Sequence, residues 1–489
     1  MAMPSPQKAQ FTTGSTMRHV VVMTATGGVG LLAIFMVDAL NLFYISLLGQ
    51  VELAAAIGFA GTLQFFMISV SIGLSIAATA MVSRAVGAGQ REDGRCIASS
   101  ALLTLVSLLT VVSIGVWVMR EEALALLGAE GETLAVASRF MAIVVPSMPL
   151  LGVTMVAGGL LRAVGDGRRA MWVTLSGGLI AAALDPLFIF GFGLGVDGAA
   201  VVSVLARIIM AGIGLRLAVG VHDLLGPLRA DRMVADARGL MAIALPAVAT
   251  QLSTPFGNAY LTRLVAEHGS DAVAGWAVVG RLSAVAFGAV FALSGAVGPI
   301  LGQNYGAGLA ERIRTTYRDA LIFVAVYVLL IWALLWLATD AIVQAFGVTG
   351  AGIEVVSAFT GFGAGAFLFT GWLFVSNAVF NNLGHPTWST GFNWSRDGLV
   401  IPLIAAVIAG SLGTTGVVAV QAMAAVLVGS AAAVAVWRFL SSLDLSAAAA
   451  APAPPAAEHP AFASGRATLP VGDYPAAPKP TLAEPPERG

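Results

Sequence analysis

The chain is 489 residues long, 58% hydrophobic and only 10% charged, with a mean hydropathy of +0.89. Soluble globular proteins carry about 25% charged residues, so a soluble class is excluded. A net charge of -1 leaves no basic excess for phosphates, which excludes a nucleic-acid partner, and one cysteine (Cys96) with five scattered histidines offers no disulfide and no metal cage.

Apolar windows of the ~20 residues needed to cross a bilayer recur from Val20 to Leu440. The first follows Lys8 and Arg18 and runs to about Leu48, beyond the ~7–15 apolar residues of a signal peptide, so it is read as a retained membrane helix. About twelve helices are predicted, at residues 20–48, 53–84, 96–119, 134–164, 169–192, 196–220, 239–266, 272–304, 315–339, 352–383, 388–411 and 416–440. Even-numbered loops carry Arg84, Arg91 and Arg95, then Arg168 and Arg169, then Arg229, Arg232 and Arg238, then Arg312 and Arg314; odd-numbered loops carry mostly acids, such as Glu130, Glu132, Asp197 and Asp340. Positive charge marks the cytoplasmic side, so both termini are expected there. After Leu440 the sequence turns to Ala and Pro with no hydrophobic period and cannot build a core. The expected organisation is a cytoplasmic segment 1–19, a six-helix lobe 20–222, a cytoplasmic linker 223–238, a second six-helix lobe 239–440 and a disordered cytoplasmic tail 441–489.

The two lobes read as copies. Gly87, Ala88, Gly89, Glu92 and Arg95 recur as Gly306, Ala307, Gly308, Glu311 and Arg314 at a spacing of 306 minus 87, or 219; Gly165 and Gly384 keep it, and Gly195 and Gly413 are 218 apart. Because six is even, both copies share one orientation, the parallel-repeat symmetry of transporters whose two bundles rock about a central site. The four glycines of the GAG turns, Gly87, Gly89, Gly306 and Gly308, are expected to cap the ends of long helices.

The GAG turns, the MVDALNLFYISLLGQVELAA stretch around Asp38 and the LDPLFIFGFGLGVDGAA segment around Asp185 resemble the multidrug and toxic compound extrusion (MATE) transporters across residues 20–440. The resemblance implies an all-α polytopic fold of two pseudo-symmetric six-helix bundles in a V, and a cation site on helices 1 and 5. Two departures stand out. Ala181 occupies a position one turn before the helix-5 acid where many members have Asn, and Thr254 stands where a second subtype carries Glu after the helix-7 proline. The chain looks closer to the DinF-type than to the NorM-type branch.

An ionisable group inside a span is costly and so a functional candidate. Asp38 and Asp185 lie at matching depth, roughly 10–15 Å below the outer surface at 1.5 Å per residue. Desolvation and a neighbouring carboxylate favour the protonated form of an acid, as a proton-exchanging site requires. Asn41 and Ser203 are expected to hydrogen-bond the pair, and Arg207 either supports the site or neutralises Asp185 as a buried pair. Their counterparts in the second lobe are neutral: Asp38 aligns with Asn258, and Asp185 with Ile401 through Pro186 and Pro402. Gln64, Gln251, Thr254, Asn258, Arg281 and Asn377 are candidates to line a substrate cavity, while Arg396 and Asp397 suggest structural pairing with neighbours. Enzyme motifs such as H-E-x-x-H or G-x-S-x-G do not occur.

The expected function is export of amphipathic, often cationic drugs or metabolites by a monomer in the inner (plasma) membrane. It is coupled to inward H⁺, less readily Na⁺, through the N-lobe acids, with no cofactor. The alternative is a flippase for lipid-linked sugars or another amphiphilic anion.

Overall fold

The structure, a computed structural model, describes residues 9–46 and 51–445, apart from the side chains of residues 37–39, 41–43, 45, 46, 51, 52, 54 and 409–412. The expected tail beyond residue 445 lies outside the described residues. The first lobe contains α1 (Thr16–Ser46), α2 (Val51–Gly87), α3 (Arg91–Val118), α4 (Gly131–Ala163), α5 (Gly167–Gly191) and α6 (Gly195–Val221). The second contains α7 (Ala230–Ala266), α8 (Ser270–Ala286 and Gly288–Gly306), α9 (Ala310–Leu337), α10 (Ala351–Asn382), α11 (residues 386–412) and α12 (Gly413–Ser441). Ten of these helices are by themselves long and apolar enough to cross a membrane. The eleventh, α8, bends by 44° at Phe287, and α11 carries Arg396 and Asp397 in its middle.

The duplication extends to the backbone. Short helices Arg120–Leu126 and Thr339–Ala345 follow α3 and α9, again 219 residues apart. Gly89 and Gly308 turn at φ of +74° and +71°, Gly165 and Gly384 at +93° and +94°, and Gly195 and Gly413 at +55° and +58°. Only glycine adopts this left-handed region without strain. At Gly413 it separates α11 from α12 inside one otherwise continuous run of helix.

Boundaries shift from the expected ones where polar residues join helices. Helix α1 begins at Thr16, preceded by a single 3-10 turn at Gln10–Thr12 whose Phe11 is 2% exposed, so this turn is packed against the bundle. The expected linker 223–238 yields to α7 from Ala230, whose charged first turns are held by an Arg232–Asp93 ion pair and a Ser100–Asp236 hydrogen bond. Arg314 donates to the carbonyls of Leu440 and Leu443 and satisfies the orphaned end of α12.

The lobes meet where α1 packs along α8, α2 along α7, and α2 crosses α8. Small residues allow it: a Cβ on Gly73 would lie 2.9 Å from both the Ala244 carbonyl oxygen and the Val248 nitrogen, and one on Gly28 would touch Ala289. At the GAG ends the approach is closest. A Cβ on Gly87 would collide with the Gln303 carbonyl, and one on Gly306 with the Arg84 carbonyl. The expectation of four capping glycines is thus corrected. Gly89 and Gly308 make the turns, whereas Gly87 and Gly306 are helical residues whose missing side chains let two backbones touch across the pseudo-two-fold axis.

Candidate transport sites in the two lobes

In the first lobe Asp185 lies near the end of α5, just before Pro186 and a π-helical turn, Leu187–Gly191. Pro186 has no N–H to give the preceding turn, and the widened turn that follows re-aims the backbone. Asp185 is 2% exposed, and among the described residues no ion pair or hydrogen bond reaches its carboxylate. The side chains of Asp38 and Asn41 lie outside the described residues, so only the backbone of α1 places them.

Two expected supports are engaged elsewhere. Ser203 donates to the Ala199 carbonyl of its own helix (2.9 Å), the usual fate of a serine facing the preceding turn. Arg207 does not pair with Asp185. It donates to the Val144 carbonyl (3.1 Å), Ser147 Oγ (2.8 Å) and Gln64 Oε1 (3.0 Å). The break in α4 at Val145–Ser147 exposes the carbonyl that this buried guanidinium needs, so three neutral acceptors satisfy it. Gln64, expected in a substrate cavity, is occupied by that bond.

The second lobe encloses a cavity of about 420 Å³ bounded by α7, α8, α10, α11 and α12, with Phe35 of α1 at its edge. Thr254 and Asn258 line it as expected. Gln251, Arg281 and Asn377 do not. Arg281 is exposed, while its neighbours Gly280 and Ser283 face the cavity. Asn377 is buried between α10 and α11, where its Oδ1 accepts from Asn393 Nδ2 at 3.0 Å. The wall that the sequence did not reveal is aromatic and charged: Trp276, Phe291, Phe367, Phe374, Arg396 and Asp397.

Arg396 and Asp397 sit side by side on a π-helical turn, Ser395–Val400, and bond each other through two parallel contacts, Nε to Oδ1 at 2.7 Å and Nη2 to Oδ2 at 3.0 Å. The expected pairing with neighbours is replaced by pairing with each other, and a Cβ on Gly257 of α7 would sit 2.9 Å from Asp397 Oδ1. A signal for this cavity was present in the repeat, because Asn258 and Ile401, the counterparts of Asp38 and Asp185, both line it. One internal duplication therefore yields an acid with no partner among the described residues in one lobe and a cavity with a self-neutralised pair in the other.

The MatE family model matches residues 28–187 and again residues 246–406, starts that differ by 246 minus 28, or 218. The chain belongs to the MatE family. Its similarity to an FAD transporter of Shewanella oneidensis is 29% identity over 321 residues, covering 64% of this chain and 71% of that protein. The multidrug export protein MepA of Staphylococcus aureus is 24% identical over 293 residues, which span 57% of this MatE chain and 62% of the relative. Among solved structures, the Vibrio cholerae MATE transporter VcmN superposes with a TM-score of 0.84 at 24% identity, over 89% of this chain and 99% of that one. A MOP superfamily transporter from Pyrococcus furiosus gives 0.83 at 19%, over 90% and 99%. This MatE chain is a multi-pass membrane transporter with the V-shaped two-lobe fold, and not an enzyme.

Proposed function

We propose that the protein is a monomeric secondary exporter in the inner membrane, with its GAG turns and both termini cytoplasmic, that exchanges amphipathic, often cationic drugs or metabolites for inward-moving protons. The observation that carries this reading is Asp185, buried in an apolar span with no ionic or hydrogen-bonding partner among the described residues. A carboxyl kept there at the cost that a membrane acid imposes has a use if it alternates between its charged and protonated forms. Proton entry from outside neutralises it and releases a substrate outward; deprotonation toward the cytoplasm restores the charge that attracts the next cation. The close crossing of α2 and α8 at the GAG ends supports an outward-facing state, and the aromatic cavity of the second lobe offers apolar area for the substrate body.

A second reading of the substrate rests on the FAD transporter relative and on Arg396 among Trp276, Phe291, Phe367 and Phe374: a planar aromatic anion stacking in the same cavity. Both are tested in proteoliposomes with an imposed pH gradient and then an Na⁺ gradient, using a fluorescent cationic dye and, separately, FAD. Dye flux driven by pH and lost in Asp185→Asn supports the proton exporter; flux driven only by Na⁺ overturns the coupling ion, and FAD flux without dye flux moves the anion to the front.

A further inference from the structure

The seam at the GAG end is fastened by two side chains related by the repeat. From α2, Arg84 reaches into the other lobe and donates from Nε to the Asn382 carbonyl (2.8 Å) and from Nη2 to the Asn381 carbonyl (3.3 Å), with its guanidinium 5.4 Å from the Tyr305 ring. From α8, Gln303 donates from Nε2 to the Ala163 carbonyl (2.7 Å). Arg84 and Gln303 are 219 residues apart, and so are Ala163 and Asn382. Each lobe therefore sends one side chain across the axis to the last carbonyls of the other lobe's fourth helix, groups that a helix end leaves without intrahelical partners.

The two fasteners differ in one chemical respect. A guanidinium is all donors, whereas an amide has a donor end and an acceptor end, and only the donor end can bond a carbonyl. The amide of Gln303 is oriented by the segment ahead of α1: the Phe11 N–H donates to Gln303 Oε1 at 2.9 Å. That segment is tied to the second lobe. The Phe11 carbonyl accepts from Asn304 Nδ2 (3.2 Å) and Arg312 Nη2 (2.8 Å), and Arg312 also donates to the carbonyls of Thr13 and Gly14.

We propose that Gln303 is a positioning residue for the change of access state, and that the backbone of Phe11 holds its amide in the one orientation that closes the seam. Opening this side must break the Gln303–Ala163 bond, so the segment ahead of α1 biases the transporter toward the state in which the GAG side is shut. The proposal rests on the alternating-access reading given above.

The test is cysteine labelling in detergent or vesicles without substrate or gradient, so its failure is separate from a failure of ion coupling. In a Cys96→Ser background, Ser83→Cys places a thiol on a fully buried seam position that faces Gly302. Its rate of reaction with a membrane-impermeant maleimide reports opening of the seam. Gln303→Glu, assayed at alkaline pH so that the carboxyl is ionised, keeps the acceptor for Phe11 but loses the donor to Ala163, and should label about three- to tenfold faster than the parent at the same pH, the worth of one net hydrogen bond. Gln303→Arg, a donor that needs no orienting, should label at the parental rate. Phe11→Pro, which lacks the N–H, should accelerate labelling with Gln303 present but not in the Gln303→Arg background. Should Gln303→Glu not accumulate as folded protein, Gln303→Met carries the same expectation. A parental rate in Gln303→Glu or Gln303→Met, or equal acceleration by Phe11→Pro in both backgrounds, overturns the proposal.

Discussion

Replacing Gly306 with alanine should push the GAG-side seam apart. The added Cβ collides with the Arg84 carbonyl oxygen and lies 2.9 Å from both the Arg84 carbonyl carbon and the Ala88 nitrogen, all main-chain atoms that cannot rotate away. Ordinary contact begins near 3.4 Å, so the two helices must separate by on the order of 1 Å, and overpacking of this kind costs about 1–3 kcal/mol. That cost falls only on the closed state, so the closed-to-open ratio should drop about 5- to 150-fold, since every 1.4 kcal/mol is tenfold. Alanine also favours helix over glycine by up to about 1 kcal/mol, a gain that must be removed from the comparison. Gly61→Ala in α2 supplies the control, because a Cβ there meets nothing within 4 Å. Spin labels at Glu92→Cys and Glu311→Cys, exposed and repeat-related positions on the GAG side, read the separation in a Cys96→Ser background. An unchanged distance distribution in Gly306→Ala, equal to that of Gly61→Ala, would refute the claim that backbone contact closes the seam.

Further substitutions probe three other sites. Asp185→Asn should abolish proton-driven export and leave the melting temperature near the parental value, because a neutral side chain of the same shape fills the same space; retained gradient-driven flux would contradict the role given to this acid. Asp397→Asn should destabilise the protein by about 3–5 kcal/mol because it leaves the Arg396 charge buried alone, whereas the double variant Arg396→Gln/Asp397→Asn should cost less than that single change; additive losses in thermal melts would refute the coupling. In the turn before α5, Asp166 accepts from the Arg169 backbone N–H at 3.0 Å and from His222 Nε2 at 2.8 Å, and it pairs with the Arg169 side chain. Burial alone would raise its carboxyl, but the bonds from His222 and Arg169 outweigh it and hold the carboxyl below the usual carboxylate range. Its stabilisation is therefore present above about pH 4 and lost only as pH falls through the lowered value. Asp166→Ala should lower stability by about 1 kcal/mol at neutral pH, with the gap to the parent closing only in acid; a gap that closes already between pH 7 and 5 would show the sign to be wrong.

Much of the architecture was legible because membrane crossing imposes a local rule. A span needs only its own ~20 apolar residues, and the copies expected from Gly165/Gly384 and Gly195/Gly413 return as matched left-handed turns. Side-chain partners were less legible, because they depend on distant breaks in the helices. Arg207 finds its acceptors where α4 is interrupted at Val145–Ser147, and no pattern around Arg207 itself announces that carbonyl. Arg396 and Asp397 bond each other although they are adjacent in sequence, a pairing that helical periodicity, which favours partners three or four residues apart, does not single out. Phe11 preceded the first apolar window, so hydropathy gave it no place at all, yet it is buried at the meeting of the two lobes.

The contact of Gly87 with Gln303 and of Gly306 with Arg84 bears on how little such a transporter leaks. A gate of side chains admits water whenever rotamers fluctuate, on picosecond to nanosecond times. Here main chain meets main chain, so no rotamer change opens a wire of water past the crossing, and passage requires whole helices to part. In the ion-driven exchange proposed above, such a closure ties any passage of uncompensated charge to turnover, and two absent methyl groups protect its stoichiometry.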